Sequence, residues 1–360
     1  MKQLAFYAPL KSPDHPVPSG DREIAQNIMA ALAMNTSQLE VTLVSRLRCY
    51  DGRGDSAAQH NIRMQAQTEV DRLLNASNDW AAWVTYHNYY KAPDLVGAAV
   101  CEQLKIPYVL IEASIAKSRL NGPWGDFAAS ADRATKAADV IFYLTEKDRV
   151  ALAEHRPESQ KLIHLAPFLS QKELSVGCQQ QKIPNQLLAV GMHRYGDKFD
   201  SYRVIAEALP HLNTSDWQLS IVGDGPARED IEKLFKAFDQ QVHFLGQLER
   251  EALATAYQQA SVFVWPGVNE AFGMVYLEAQ AAGLPVIAQD RAGVREVIAT
   301  SRSLVPTGDA KIFAQAIDNL LASPAEYQSM AKSGQDFVRN RHLLGSAANT
   351  LSEQLSALVA

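Results

Sequence analysis

Short apolar runs alternate along this chain with longer stretches in which apolar residues recur every three or four positions, the pattern of strands separated by amphipathic helices. In the first half the runs predict strands near residues 4–7, 41–45, 82–85, 108–112, 140–144 and 161–165. A second series follows near 186–191, 218–222, 242–245, 262–265 and 285–288. Regular strand–helix alternation builds parallel βαβ sheets. Between the series the chain is polar and without period, including Gln179-Gln180-Gln181-Lys182, and reads as a linker over 169–184. A length of 360 residues also exceeds what one hydrophobic core usually organises. The expectation is an α/β protein of two doubly wound, Rossmann-like domains, 1–168 and 185–340, facing each other across a cleft. The last segment, 341–360, reads as a helix that either caps its own domain or crosses back to the first.

Composition narrows the class. A 47% hydrophobic and 21% charged chain is that of an ordinary globular protein. Cys49, Cys101 and Cys178 have no metal or redox spacing and cannot all pair with one another, which suits a reducing cytoplasm. The opening apolar run is interrupted by Lys11 and Pro13 too soon for a signal peptide, and no apolar run is long enough to predict a membrane span. A net charge of -6 without a basic stripe argues against a nucleic-acid partner. No polybasic amphipathic helix stands out, which leaves peripheral membrane contact open.

Candidate chemistry gathers after the strands. The run Ser261-Val262-Phe263-Val264-Trp265 stops at Pro266-Gly267, and 272–282 reads as a helix ended by Gly283. Glu270 then lies in the loop, and Glu278 lies about two turns into the helix. Free N–H groups near Gly273 and Met274 would suit a phosphate, and flanking carboxylates can accept hydrogen bonds from vicinal hydroxyls. Two glutamates eight positions apart also arise by chance. Arg194 and Lys198, in the loop after the 186–191 strand, are either solvated charges or fixed cations for a developing anion. Gly223-Asp224-Gly225-Pro226 is a tight turn, and Pro18-Ser19-Gly20-Asp21-Arg22 opens a helix with Ser19 and Asp21 as good caps. Tyr86-His87-Asn88-Tyr89-Tyr90-Lys91 either stacks on a sugar or packs as a supporting loop. Arg119-Leu120-Asn121-Gly122-Pro123-Trp124 is a loop placed to close over a ligand, and Arg53-Gly54-Asp55 reads as a surface turn.

Residues 265–296 resemble the donor-site signature of retaining glycosyltransferase family 4, the glycosyl transferases group 1 of the GT-B fold. The matching positions are Pro266, Glu270, Phe272-Gly273, Glu278, Ala279, Gly283-Leu284-Pro285-Val286-Ile287, Gly293 and Glu296. The resemblance implies a nucleoside-diphosphate-sugar donor and an acceptor hydroxyl on a sugar, glycan or small molecule. It also implies a retaining, metal-independent transfer with no cofactor and no protein nucleophile. Carried over, Glu270 orients the sugar, Glu278 holds the ribose, and Arg194 with Lys198 stabilises the leaving diphosphate. Gly20, Gly223, Phe272, Gly273 and Met274 fall along the donor, and the Phe244-Leu245-Gly246-Gln247 loop falls where relatives seat the base. Two departures stand out. Met192 occupies the place of the usual loop arginine, and Glu112 that of a histidine which contacts the sugar, so either Glu112 or His87 takes over that contact. The resemblance is strong over 186–300 and suggestive before it. Rival readings are a sugar-nucleotide epimerase or hydrolase of this fold, and a catalytically silent sugar-nucleotide-binding subunit.

Overall fold

A computed structural model describes residues 2–17, 19–35, 39–76, 79–174 and 181–359, so Pro18, Cys178 and the Gln179-Gln180 part of the expected linker lie outside the described residues. The chain divides into two compact units, Met1–Ala166 with Leu344–Ala360, and Pro167–Leu343.

The first unit runs β1 (Lys2–Tyr7), α1 (Gly20–Asn35), β2 (Leu39–Ser45), α2 (Ser56–Asn75), β3 (Trp80–Asn88), α3 (Gly97–Leu104), β4 (Tyr108–Ala113), α4 (Gly125–Ala137), β5 (Val140–Tyr143), α5 (Glu146–Ala153) and β6 (Lys161–His164). Its sheet has the order β2-β1-β3-β4-β5-β6, and the strand pairs are parallel. Helices on both faces bury consecutive strand residues, so Leu4, Ala5, Phe6 and Tyr7 are all fully buried and β1 reads as a continuous apolar run. Short polar side chains start the helices: Asp55 accepts from the N–H groups of Ala57 and Ala58 at α2, and Thr145 from that of Asp148 at α5. Arg53-Gly54-Asp55 is thus the turn into α2.

The second unit runs β7 (Gln186–Val190), α6 (Asp197–Ala208), β8 (Gln218–Val222), α7 (Arg228–Leu234), β9 (Val242–Gly246), α8 (Arg250–Gln259), β10 (Val262–Val264), α9 (Met274–Ala281), β11 (Val286–Gln289), α10 (Ala292–Arg295), β12 (Leu304–Val305), α11 (Ala310–Ala322) and α12 (Pro324–Arg341). Its order is β12-β11-β10-β7-β8-β9. The last helix, α13 (Leu344–Val359), belongs to the first unit, where it packs on α1.

In each sheet the chain starts in the middle and builds outward both ways, which leaves a crevice where the direction reverses. That point lies between β1 and β3 in the first unit and between β7 and β10 in the second. The loops after those strands are where the polar residues collect.

Four details correct the sequence expectations. Strand β12 is absent from the apolar-run pattern, because two residues are too few to register. Helix α9 starts at Met274 rather than 272, since Gly273 sits at φ 84° as its N-cap, so Glu278 lies just past the first turn. Strand β9 carries Phe244, Leu245 and Gly246, as the apolar run 242–245 predicts, so the expected base loop starts only at Gln247. Strand β3 continues through His87 to Asn88.

A buried carboxylate fixes the segment after β3. Asp94 accepts from the hydroxyls of Thr85 (2.5 Å) and Tyr108 (2.6 Å) and from the N–H groups of Val96 (2.9 Å) and Gly97 (2.7 Å). Its own N–H donates to the Asn88 side chain (2.9 Å), whose amide nitrogen donates onward to Ala131 and Thr135. Replacing Asp94 by alanine strands several buried donors at once. The Asp94→Ala variant should lose about 3 kcal/mol in urea unfolding, whereas an unchanged midpoint would show that the network carries no stability.

Candidate active site

In the second unit the site begins with the loop joining β10 to α9. Trp265 is fully buried, and its indole nitrogen donates to Glu270 Oε1 (3.0 Å). The Lys198 ammonium donates to the same oxygen and lies 5.3 Å from the Trp265 ring centroid. Lys198 stands at the start of α6, so the loops after β7 and β10 meet at the switch point of the sheet. The first turn of α6 holds the facing loop at two further places. The Val268 N–H donates to Ser201 Oγ (3.0 Å), and the Asn269 side-chain amide to Asp197 Oδ1 (2.8 Å).

The Lys198 and Glu270 side chains are 26% and 14% exposed. An ammonium has three donors and one is given to Glu270, so the remainder can serve an anion. No side chain caps the first turn of α9 and the Tyr276 N–H is given to the Gly273 carbonyl (3.2 Å), so the N–H groups of Met274 and Val275 are those that can meet an anion. Further along α9, Glu278 Oε2 accepts from the Tyr257 hydroxyl (2.7 Å) on α8. Arg194 is exposed and forms no ion pair among the described residues.

Glycines let the backbones close around this loop. A Cβ on Gly293 would stand 2.3 Å from the Glu270 carbonyl oxygen and 2.1 Å from that of Ala271, so only glycine fits behind the carboxylate. Gly223 is pressed in the same way against the Gly191 carbonyl, at φ 140°. This joins the turn after β8 to the loop after β7.

His193, which sequence reasoning passed over, is fully buried in that joint, with neither ring nitrogen hydrogen-bonded. Its ring meets Tyr202 and Phe244 edge to face at 5.3 and 6.1 Å. Burial, then the Arg228 charge, pushes its pKa down. Leu245, next to Phe244, is 44% exposed. Phe272 is buried, and Met274 half-buried.

In the first unit His87 and Glu112 stand side by side on β3 and β4, between the pairs Tyr86↔Ile111 and Asn88↔Ala113. Both have left-handed backbones, at φ 70° and 60°. Such a conformation in a non-glycine residue is held only by its surroundings. Asp21, from the first turn of α1, places Oδ1 3.6 Å from His87 Nδ1, beyond hydrogen-bond length, so the contact is electrostatic. Gly20 opens α1 with nothing within 4 Å of its would-be Cβ, so no close contact demands glycine there. Glu112 Oε2 and His87 Nδ1 are both buried without hydrogen-bond partners.

Their charges are coupled. Burial would lower the His87 pKa, but the carboxylates of Glu112 and Asp21 outweigh it and the net direction is upward from 6.5. Burial raises that of Glu112, His87 pulls it back, and Asp148 and Asp21 push it up again. The sequence singled out the histidine and glutamate but not Asp148, which lies far along the chain. Among the described residues no cluster of three or more His, Cys, Asp or Glu could hold a metal ion, and no helix is long and apolar enough to cross a membrane.

Because the folded pKa of His87 lies above the unfolded one, its stabilising contribution is complete below the ordinary value and fades as pH rises through the raised one. In Glu112→Gln the largest favourable charge is gone and burial is left less opposed. The His87 imidazole, followed by NMR titration, should then titrate lower than in the native protein; an unchanged value would break the coupling.

Comparison with known proteins bears on both units. Residues 184–323 match the family model described as glycosyl transferases group 1. A phosphatidyl-myo-inositol mannosyltransferase of Mycobacterium leprae is 33% identical over 151 residues, 41% of this chain and 40% of that protein, so the match spans well under two thirds of that relative's length. Sucrose-phosphate synthase from Thermosynechococcus elongatus superposes with a TM-score of 0.75 at 19% identity, over 99% of both chains. HepE of Anabaena, solved in complex with UDP, gives 0.73 at 16% identity, over 99% of this chain and 100% of that one. At such identities the likeness shows the fold alone, and the fold is GT-B: two Rossmann-like units with six parallel strands each. The second unit, over residues 184–323, is thus similar to the glycosyl transferases group 1 family.

Proposed function

We propose that the protein is a retaining glycosyltransferase that moves a sugar from a nucleoside-diphosphate donor to an acceptor hydroxyl. The observation that carries this reading is the meeting of Lys198 and Glu270 at the switch point of the second unit, beside the uncapped amino end of α9. A pyrophosphate is the ligand that uses both a fixed ammonium and free helix N–H groups. Glu270 orients the sugar hydroxyls while Trp265 and Lys198 hold its carboxylate in place. Glu278 takes the ribose, and the base lies against Phe244 and Leu245. Arg194, exposed and without an ion-pair partner among the described residues, turns toward the phosphates when a donor is present.

As the bond from the anomeric carbon to the phosphate oxygen breaks, negative charge grows on the leaving diphosphate, and Lys198 with the α9 N–H groups stabilises it without a metal. The acceptor oxygen bonds to the same face of the sugar, and its proton passes to the departing phosphate. Within the first unit, Glu112 and His87 are the pair of polar side chains suited to hydroxyls, side by side on β3 and β4 with left-handed backbones.

Titration calorimetry across a panel of nucleoside diphosphates tests the donor site. One of them should bind the native protein, and Glu278→Ala, which also removes the carboxylate that accepts from the Tyr257 hydroxyl, should weaken it by about 1–3 kcal/mol. In a transfer assay with the matching sugar nucleotide, Lys198→Ala should lower kcat about 10²-fold. Unchanged affinity in Glu278→Ala for every diphosphate, or full turnover in Lys198→Ala, would remove these roles.

A further inference from the structure

Beyond His87 the first unit carries a second constellation that the donor chemistry does not use. Tyr90 and Lys91 form the two-residue tip of a hairpin closed by reciprocal backbone hydrogen bonds between Tyr89 and Ala92 (3.3 and 2.9 Å). The tip is fixed from three sides. Asn88 and Asp94 clamp its base, and the Lys91 carbonyl accepts from the Asp51 N–H (2.9 Å). Asp51 is buried, and its carboxylate accepts from the side chain of Gln59 and the N–H groups of Arg53, Gly54 and Asp55. Its carbonyl accepts from the Trp124 indole nitrogen (3.0 Å). Tyr90 and Trp124 therefore meet edge to face at 5.7 Å as parts of one braced structure rather than as free surface rings.

Two cations lean on this one pair of rings. Lys91 Nζ lies 5.7 and 5.5 Å from the centroids of Tyr90 and Trp124, and the Arg119 guanidinium carbon 5.3 and 5.8 Å from the same two. Neither forms an ion pair among the described residues, although Lys117 and Lys136 close by are matched by Glu154 and Asp132. The ring faces attract both cations, and neither is neutralised by a carboxylate among the described residues, so their N–H donors are open to an anion. Tyr90 also lines a cavity of about 170 Å³ with Ser114, Lys117, Leu120, Lys136 and His155. The Nε2 atom of His155 is buried there without a hydrogen-bond partner. A chain of ring contacts leads from His87 through Tyr89 and Tyr90 to Trp124, at 4.6, 5.7 and 5.7 Å.

We infer that Lys91 and Arg119, braced on Tyr90 and Trp124, bind a phosphate group carried by the acceptor, so that the acceptor is a phosphorylated sugar or polyol, free or as a lipid headgroup. A doubly charged phosphate answers both cations, whereas one carboxylate would leave a cation over. The rings supply a face for the carbon skeleton, and the cavity supplies polar groups for its hydroxyls. The inference rests on the proposed transferase reading for the word acceptor; the anion site itself does not.

The probes are glycerol 3-phosphate, inorganic phosphate, and vesicles of phosphatidic acid in phosphatidylcholine, with glycerol and pure phosphatidylcholine as controls. Each is measured against the native protein, Lys91→Ala/Arg119→Ala and Lys198→Ala. Glycerol 3-phosphate should bind saturably and glycerol should not. Binding should fall at least tenfold in the Lys91→Ala/Arg119→Ala variant and persist in Lys198→Ala. Nucleoside diphosphate should show the opposite pattern, so failure at one site is separable from failure at the other. Binding confined to phosphatidic acid vesicles and lost in the double variant would name a lipid headgroup as the source. Binding that survives the double variant, that falls with Lys198→Ala instead, or that no phosphate probe shows would overturn the inference.

Discussion

One carboxylate oxygen, shared by an ammonium and an indole, organises the second unit. Glu270 Oε1 accepts from Lys198 and from Trp265, and so joins the loop after β10 to the start of α6, 72 positions away in sequence. A charge-assisted hydrogen bond of this kind contributes about 1.5–3 kcal/mol, and losing Glu270 takes the acceptor from both the Lys198 ammonium and the buried Trp265 indole. Gly293 presses its backbone against the Glu270 carbonyl from behind, and Tyr276 donates to the Trp265 carbonyl (3.0 Å). Backbone, ring and charge thus agree on one place for the carboxylate.

The first unit meets the same topological condition with different chemistry. Its polar cluster also sits at the switch point, Asp21 following β1 and His87 lying on β3. Here precision comes from strain rather than from an ion pair. Two adjacent left-handed residues cost about 1–3 kcal/mol each. The cost is tolerated because the register of β3 and β4 and the Asp94 network hold the strand ends. The arrangement points both polar side chains away from the ordinary pleat and leaves a buried atom of each unsatisfied.

Much of this was legible in the sequence, for identifiable reasons. Parallel strands buried on both faces are short apolar runs, and those from β1 to β11 stand out in that way. Leu304 and Val305 of β12 do not, because two residues carry no period. Glu270, Glu278 and Lys198 were visible because spacing after strands is a one-dimensional property. Trp265 was read only as the end of a strand, since nothing in sequence says that its indole nitrogen turns to Glu270. His193 was hidden for the same reason: among Met192, Arg194 and Tyr195 it passes for a solvated loop residue, and only the closure of Gly223 on Gly191 buries it. The coupling of His87 to Glu112 depends on strand register, and the Tyr90–Trp124 pair on a hairpin and a turn far apart in the chain.

The central claim is that a pyrophosphate is held by Lys198 and the amino end of α9, with Glu270 and Glu278 on its flanks. A crystal structure of the protein with its nucleoside diphosphate is the most direct measurement. The account predicts phosphate oxygens within hydrogen-bond distance of Lys198 Nζ and of the Gly273 or Met274 N–H, and ribose hydroxyls donating to Glu278. A diphosphate bound elsewhere, with the Lys198–Glu270 pair untouched and the first turn of α9 open to solvent, would contradict it.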